Sequence, residues 1–257
     1  PQTASTVENM TREGIDLVLS MDLSASMLSK DFKPNRLESA KEVAMEFVDR
    51  RAFDRIGVVA YEGEAFTQVP ITTDHIVVKN GIKALDTGML EGGTAIGTGL
   101  AVAVNRLRAS EAKSKVIVLL TDGENNAGQM EPLDAAQLAR LNGIRVYTIG
   151  VGTIGKAKSP VAIRANGTYQ YDWVDVRIDE PSLQRIAELT DGRYFRATNV
   201  KKLKEIYAEI DALEKTEFNV LSYQRKSEAA APWIALALFA MGIEMLLRTT
   251  TFKSLEA

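Results

Sequence analysis

For most of its length the chain alternates short apolar runs with stretches in which apolar residues return every three or four positions. Ile15–Met21 (IDLVLSM), Ile56–Tyr61 (IGVVAY), Lys115–Leu120 (KVIVLL) and Arg145–Val151 (RVYTIGV) are short and largely apolar, the pattern of strands covered on both faces. Between them, Arg36–Arg50 places Leu37, Ala40, Ala44, Phe47 and Val48 on one helical stripe. Helical patterns also cover His75–Leu85, Ala95–Arg108, Pro132–Leu141 and Pro181–Leu189, and Val200, Leu203, Ile206, Tyr207, Ile210 and Leu213 form a last stripe. Punctuation agrees with these bounds: Pro34-Asn35 stands before the first helix, Pro132 opens the fourth with Gly143 past its end, and Asp179 and Glu180 precede the fifth. Ala65–Ile71 follows the second strand across Glu62-Gly63-Glu64, a hairpin spacing, and Arg193–Ala197 (RYFRA) is a short final strand.

Such alternation predicts an α/β fold: a three-layer, doubly wound (Rossmann-like), mostly parallel sheet, with Ala65–Ile71 as one antiparallel edge strand. Loops at the carboxyl ends of its strands then hold the functional site. The pattern lapses between Gly152 and Asp179, which reads as a long surface excursion with a small hairpin at Asn166-Gly167. Tyr169, Tyr171 and Trp173 alternate there, so one face is aromatic, either packed on the core or open to a partner. Residues 1–13 read as a lead-in without a signal-peptide pattern, 14–215 as the α/β domain, and 216–228 as a polar linker. Ala229–Leu247 is uncharged except for Glu244, and at 1.5 Å per residue it reaches across a hydrocarbon core. It is expected to be a transmembrane helix over 229–248, with 249–257 as a tail; basic residues on both sides leave its orientation open.

Composition narrows the chemistry. A net charge of -3 gives no electrostatic case for nucleic acid. There is no cysteine and a single histidine, His75, so thiolate sites and multi-imidazole zinc sites are excluded, and any metal must be held by oxygen. Directly after the first strand stands Asp22-Leu23-Ser24-Ala25-Ser26, in which alternate residues can face one point. Thr121-Asp122-Gly123 follows the Lys115–Leu120 strand, and Gly92-Gly93-Thr94 opens a helix between them. Neighbouring strands at the switch point would bring the three loops together, giving two carboxylates and three hydroxyls. Hard oxygen donors suit magnesium, manganese or calcium; magnesium would keep several waters, with the aspartates acting through them. The two carboxylates balance a divalent ion, the hydroxyls are neutral, and a loop surface leaves one coordination position open to an incoming Asp or Glu.

Asp22, Ser24, Ser26, Thr94 and Asp122 resemble the metal-ion-dependent adhesion site of von Willebrand factor A (VWA) domains, over about Gly14–Leu213. More narrowly, DFKPNRLESAKE, GEAFTQVPITTD, GTAIGTGLAVAVNRL, KVIVLLTDGENNAG, VYTIGVGT and GRYFRAT are similar to BatA-type membrane proteins of bacterial aerotolerance operons. In that family two membrane helices precede the domain and one follows, so this chain resembles the part after the first two. The resemblance implies a magnesium-type divalent cation as cofactor and a protein partner that supplies an acidic residue. It also implies other VWA membrane proteins and a MoxR-type ATPase as associates, and a bacterial cell-membrane protein with its domain in the periplasm.

Other readings are weaker. Gly150–Gly155 matches a dinucleotide fingerprint, but no helical pattern follows it to meet a pyrophosphate. No base and orienter accompany the serines, and Ser24 stands where an aspartyl phosphatase needs a second acid, so the chain is expected not to be an enzyme. The alternative to a binding module is a scaffold with a structural metal that self-associates through the aromatic excursion and the membrane helix.

Overall fold

Each apolar run read from the sequence becomes a strand of one sheet. The computed structural model describes residues 2–5, 14–165, 167–216, 225–228 and 231–250. Its elements are β1 (Gln2–Ser5), β2 (Asp16–Asp22), a 3-10 turn (Ala25–Leu28), α1 (Arg36–Asp49), β3 (Arg55–Tyr61), β4 (Ala65–Thr72), α2 (His75–Lys83) and α3 (Ile96–Leu107). They continue with β5 (Lys115–Thr121), α4 (Pro132–Leu141), β6 (Ile144–Val151), β7 (Lys156–Ile163), β8 (Tyr169–Asp175), α5 (Glu180–Leu189), β9 (Tyr194–Ala197), α6 (Val200–Thr216), β10 (Arg225–Glu228) and α7 (Ala231–Thr250).

Residues Glu13–Phe218 form one compact unit. Its six-stranded sheet has the order β4-β3-β2-β5-β6-β9, parallel throughout except for β4, which runs antiparallel to β3 at the edge. Strand side chains alternate between two cores because both faces are covered. Leu17, Leu19 and Met21 join the cluster under α1, α2 and α6, whereas Val18, Ile117 and Leu119 join the one under α3, α4 and α5. The central strand β2 pairs with β3 on one side and β5 on the other, so the chain changes winding direction there and opens a crevice at the carboxyl ends of β2 and β5. Helix starts are fixed locally: Asn35 accepts from the Glu38 amide and Asp74 from the amides of Ile76 and Val77.

The Gly152–Asp179 excursion is more ordered than its sequence suggests. β7 and β8 pair antiparallel from Lys156 opposite Asp175 to Ile163 opposite Tyr169, with a bulge between Pro160 and Ala162. The turn lies at Gly167 (φ 78°), while Asn166 is outside the described residues. A strand at Lys156, not a helix, follows Gly150–Gly155, in keeping with a plain glycine turn there.

The second unit comprises Pro1–Arg12 and Asn219–Ala257. In it β1 and β10 pair antiparallel, Gln2 opposite Glu228 and Ser5 opposite Arg225. Residues 1–13 and 216–228 show no apolar alternation in sequence and read there as lead-in and linker, so this pairing goes beyond that expectation. In α7 the described side chains, Trp233–Leu247, are all exposed. Among the described residues no helix is long and apolar enough to cross a membrane. The transmembrane helix expected over 229–248 therefore finds no support among the described residues; Ala229 and Ala230 lie outside them.

Candidate metal centre

Three loops meet at the carboxyl edge of β2 and β5. Asp22 ends β2 and is fully buried; its Oδ1 accepts from the Ser24 amide at 2.8 Å and its Oδ2 from the Thr121 hydroxyl at 2.6 Å. The 3-10 turn then carries Ser26 back, so its hydroxyl lies 3.0 Å from that of Ser24 and donates to Asp122 Oδ1 at 2.6 Å. Asp122 thus joins the Ser24–Ser26 loop across 96 residues of sequence. Thr94 is buried and clamped by Asn126, whose Oδ1 accepts from the Thr94 amide at 2.8 Å and whose amide donates to the Thr94 carbonyl at 3.0 Å. The Thr94 hydroxyl lies 3.8 Å from where a Cβ on Gly123 would stand, beside Asp122. All five residues read from the sequence therefore sit at one edge of the sheet. Asp22, Ser24, Ser26 and Asp122 are joined by direct hydrogen bonds or through Thr121, and Thr94 abuts the Asp122 loop.

Further residues, not read as functional from sequence, hold this set. The buried Arg36 guanidinium donates to Asp122 Oδ2 through Nη1 at 2.7 Å and grips Asp31 through Nε and Nη2. Asp31 in turn accepts from the Thr153 amide at 2.8 Å. Asn125 Oδ1 receives the Gly97 amide at the start of α3. Only tertiary structure reveals Arg36, since in sequence it is simply the first residue of a helix.

The electrostatics are those of a site short of positive charge. Burial, and then repulsion from Asp122, pushes the Asp22 carboxyl up to about 7. Burial also raises Asp122, although Arg36 and the Ser26 hydroxyl pull it back. Burial acts to raise Asp31 too, but the Arg36 and Thr153 hydrogen bonds prevail and hold it below the usual carboxylate range. The donor set fits a hard divalent cation. The carboxylate oxygens are engaged by protein donors, so they suit an outer sphere reached through water, while the Ser26 hydroxyl gives its hydrogen to Asp122, accepts that of Ser24 and keeps a lone pair for a cation.

Gly93 positions Thr94. Its φ of 132° is disfavoured for other residues, and a Cβ there would meet Ala127 at 2.8 Å; Gly92 has open space around it. Gly93→Ala is expected to weaken divalent-ion binding at least tenfold by calorimetry, and Gly92→Ala to leave it unchanged. Equal affinities for the two variants would show that Thr94 plays no part.

Residues 16–209 match the von Willebrand factor type A domain. An uncharacterised protein of Borreliella burgdorferi is 33% identical over 183 residues, which is 71% of this chain and 53% of that protein; the chain spans only about half of that relative's length. Among solved structures, the conserved hypothetical protein BatB from Bacteroides thetaiotaomicron has a TM-score of 0.69 and 33% identity, covering 79% of this chain and 100% of that one. An aerotolerance-related membrane protein from Bacteroides fragilis has a TM-score of 0.63 and 31% identity, covering 76% and 96%. Fold, site and sequence match agree: the chain belongs to the von Willebrand factor type A domain family and, within it, resembles the Bat-type aerotolerance proteins.

Proposed function

We propose that this is a binding module in which Asp22, Ser24, Ser26, Thr94 and Asp122 hold a divalent cation, magnesium first, and that a partner protein completes the coordination with an acidic side chain. The observation that carries the reading is the Ser26–Asp122 bond, which joins two loops distant in sequence into one oxygen cluster. The serine, threonine and aspartate oxygens would be the cation's neighbours, and the cation would supply a Lewis-acidic position for a carboxylate. The module is not an enzyme on this reading. Ser26 gives its proton to a carboxylate already held by Arg36, and His75 contacts the Asp54 carbonyl before β3, at the opposite edge of the sheet. Similarity to BatB and to the Bacteroides fragilis membrane protein supports a place in an aerotolerance-type membrane complex, and the motif resemblance to BatA-type proteins adds a MoxR-type ATPase as an indirect associate. The exposed apolar side chains of α7 support membrane attachment by that segment.

Calorimetry with magnesium, manganese and calcium tests the cation. Because Asp22 is raised to about 7, it is mostly protonated at pH 6 and ionised above pH 8. Metal uptake should therefore release close to one proton at pH 6 and almost none at pH 8.5, read from the dependence of the heat on buffer ionisation. The absence of binding by any of the three ions would end the proposal.

A further inference from the structure

We propose that the outer face of the β7–β8 hairpin is the second half of the docking surface, and that it receives an extended, acidic segment with alternating apolar side chains. That segment belongs to the same partner that gives its carboxylate to the cation, so the inference rests on the metal-dependent reading above.

The hairpin is built onto the metal loop. The Ser29 hydroxyl lies 2.5 Å from the carbonyl of Ser26 and 2.7 Å from the hydroxyl of Ser159 in β7, and both serines are buried. The Lys30 amide donates to the Lys158 carbonyl at 2.9 Å. Three residues beyond Ser26, the chain is thus bonded to the hairpin.

The two faces of the hairpin differ. Ala157 and Ser159 are buried on the inner one. By register, Lys158 stands opposite Trp173, Pro160 opposite Tyr171 and Ile163 opposite Tyr169, and these pairs share the outer face. There Trp173 is 65% exposed and Ile163 66%, and the Lys30 ammonium sits 4.1 Å from the centre of the Tyr171 ring. Large apolar side chains left in water beside a site are the pattern of an interaction patch, and Trp and Tyr are the residues that most often carry binding energy.

The shape and charge of the face define its occupant. A two-stranded ribbon repeats its outward side chains about every 7 Å, the spacing of alternate residues in an extended chain. Asp175 stands opposite Lys156, which leaves Lys158 and Lys30 as positive excess beside the aromatic rings. A cation that accepts a carboxylate and a neighbouring face with two lysines select the same kind of segment: acids interspersed with apolar residues.

A random short-peptide display library, selected on the immobilised 257-residue chain in detergent with magnesium, tests this. Enriched peptides should carry Asp or Glu with apolar or aromatic residues at alternate positions. A selected peptide should shift the fluorescence of Trp173, read in a Trp233→Phe background. The double variant Tyr171→Ser, Trp173→Ser should lower the affinity for that peptide at least tenfold while leaving magnesium affinity unchanged. Enrichment of acids without apolar neighbours, or equal affinity in the double variant, would overturn the hairpin's role with the metal reading intact. Peptide binding that survives EDTA would overturn the metal reading itself. A concentration-dependent dimer abolished by the double variant would assign the face to a second copy of the chain and also overturn the proposal.

Discussion

Asp22→Asn is expected to abolish divalent-ion binding and at the same time to raise the melting temperature of the metal-free protein at pH 8. The carboxyl is wholly buried, and burial together with Asp122 raises it from 3.8 to about 7. Between about pH 4 and pH 7 the native state therefore holds a proton that the unfolded chain has released, and stability falls as pH rises through that window. Asparagine removes the titration. Its carbonyl still accepts from the Ser24 amide, and the Thr121 hydroxyl can rotate to accept from the new NH2. The gain at pH 8 is at most about 4 kcal/mol by linkage, less after local relaxation. The parent should regain stability with metal, by about 2.7 kcal/mol at a hundredfold excess of magnesium over Kd, and the variant should gain nothing. Melting curves at pH 5 and pH 8, with EDTA or magnesium, separate these effects. A variant that melts below the parent in EDTA at pH 8 would mean that the carboxylate serves the fold, not the cation. Asp122→Ala is a poorer test, because it strips a partner from the buried Arg36 and destabilises the protein whatever the metal does.

The parts of this molecule that could be read from its sequence are those where burial leaves a periodic trace. β2 and β5 are covered on both sides, so Ile15–Met21 and Lys115–Leu120 are nearly continuous apolar runs, and their adjacency follows from the rules of wound sheets. The five donors were visible because each stands at a strand's carboxyl end or a helix's start in a recognisable spacing. What was missed is polar and long-range. Arg36 reaches Asp122 86 residues away, and Asn126 clamps Thr94 across 32, with no local pattern to announce either. The hairpin was seen at its turn but not in its length, since β7 buries only Ala157 and Ser159 and otherwise carries lysines, a proline and exposed side chains. The β1–β10 pair joins residues 2–5 to residues 225–228, and a hydropathy pattern does not report pairing between segments so far apart.

Glu214 belongs to the same hidden class, and Glu214→Ala is expected to lower the melting temperature on the order of 10 °C without altering metal affinity. Near the end of α6 it is 1% exposed, although its position reads as the polar margin of an amphipathic helix. One carboxylate oxygen accepts from Arg145 Nη1 and from the Tyr147 hydroxyl, each at 2.7 Å, and the other from the Ser114 hydroxyl at 2.9 Å. Burial, and then the Glu214 carboxylate, drives the Tyr147 hydroxyl far above its ordinary value, so it remains a donor throughout the usable pH range. The carboxylate therefore pins α6 to the residue before β5 and to the start of β6, at the amino-end edge of the sheet. Removing one member of a buried charged network costs about 3–5 kcal/mol, and the lower end applies here because Arg145 is 24% exposed and can turn to water. For a unit of this size each kcal/mol is about 2–4 °C, which gives the expected drop. The metal loops lie at the other edge, a strand length or about 20 Å away, where no donor to Glu214 reaches. Calorimetry on Glu214→Ala should thus return the parent's magnesium affinity within about twofold. A drop of less than 2 °C would show that the network adds no net stability, and a tenfold change in affinity would show that the two edges of the sheet are coupled through α6.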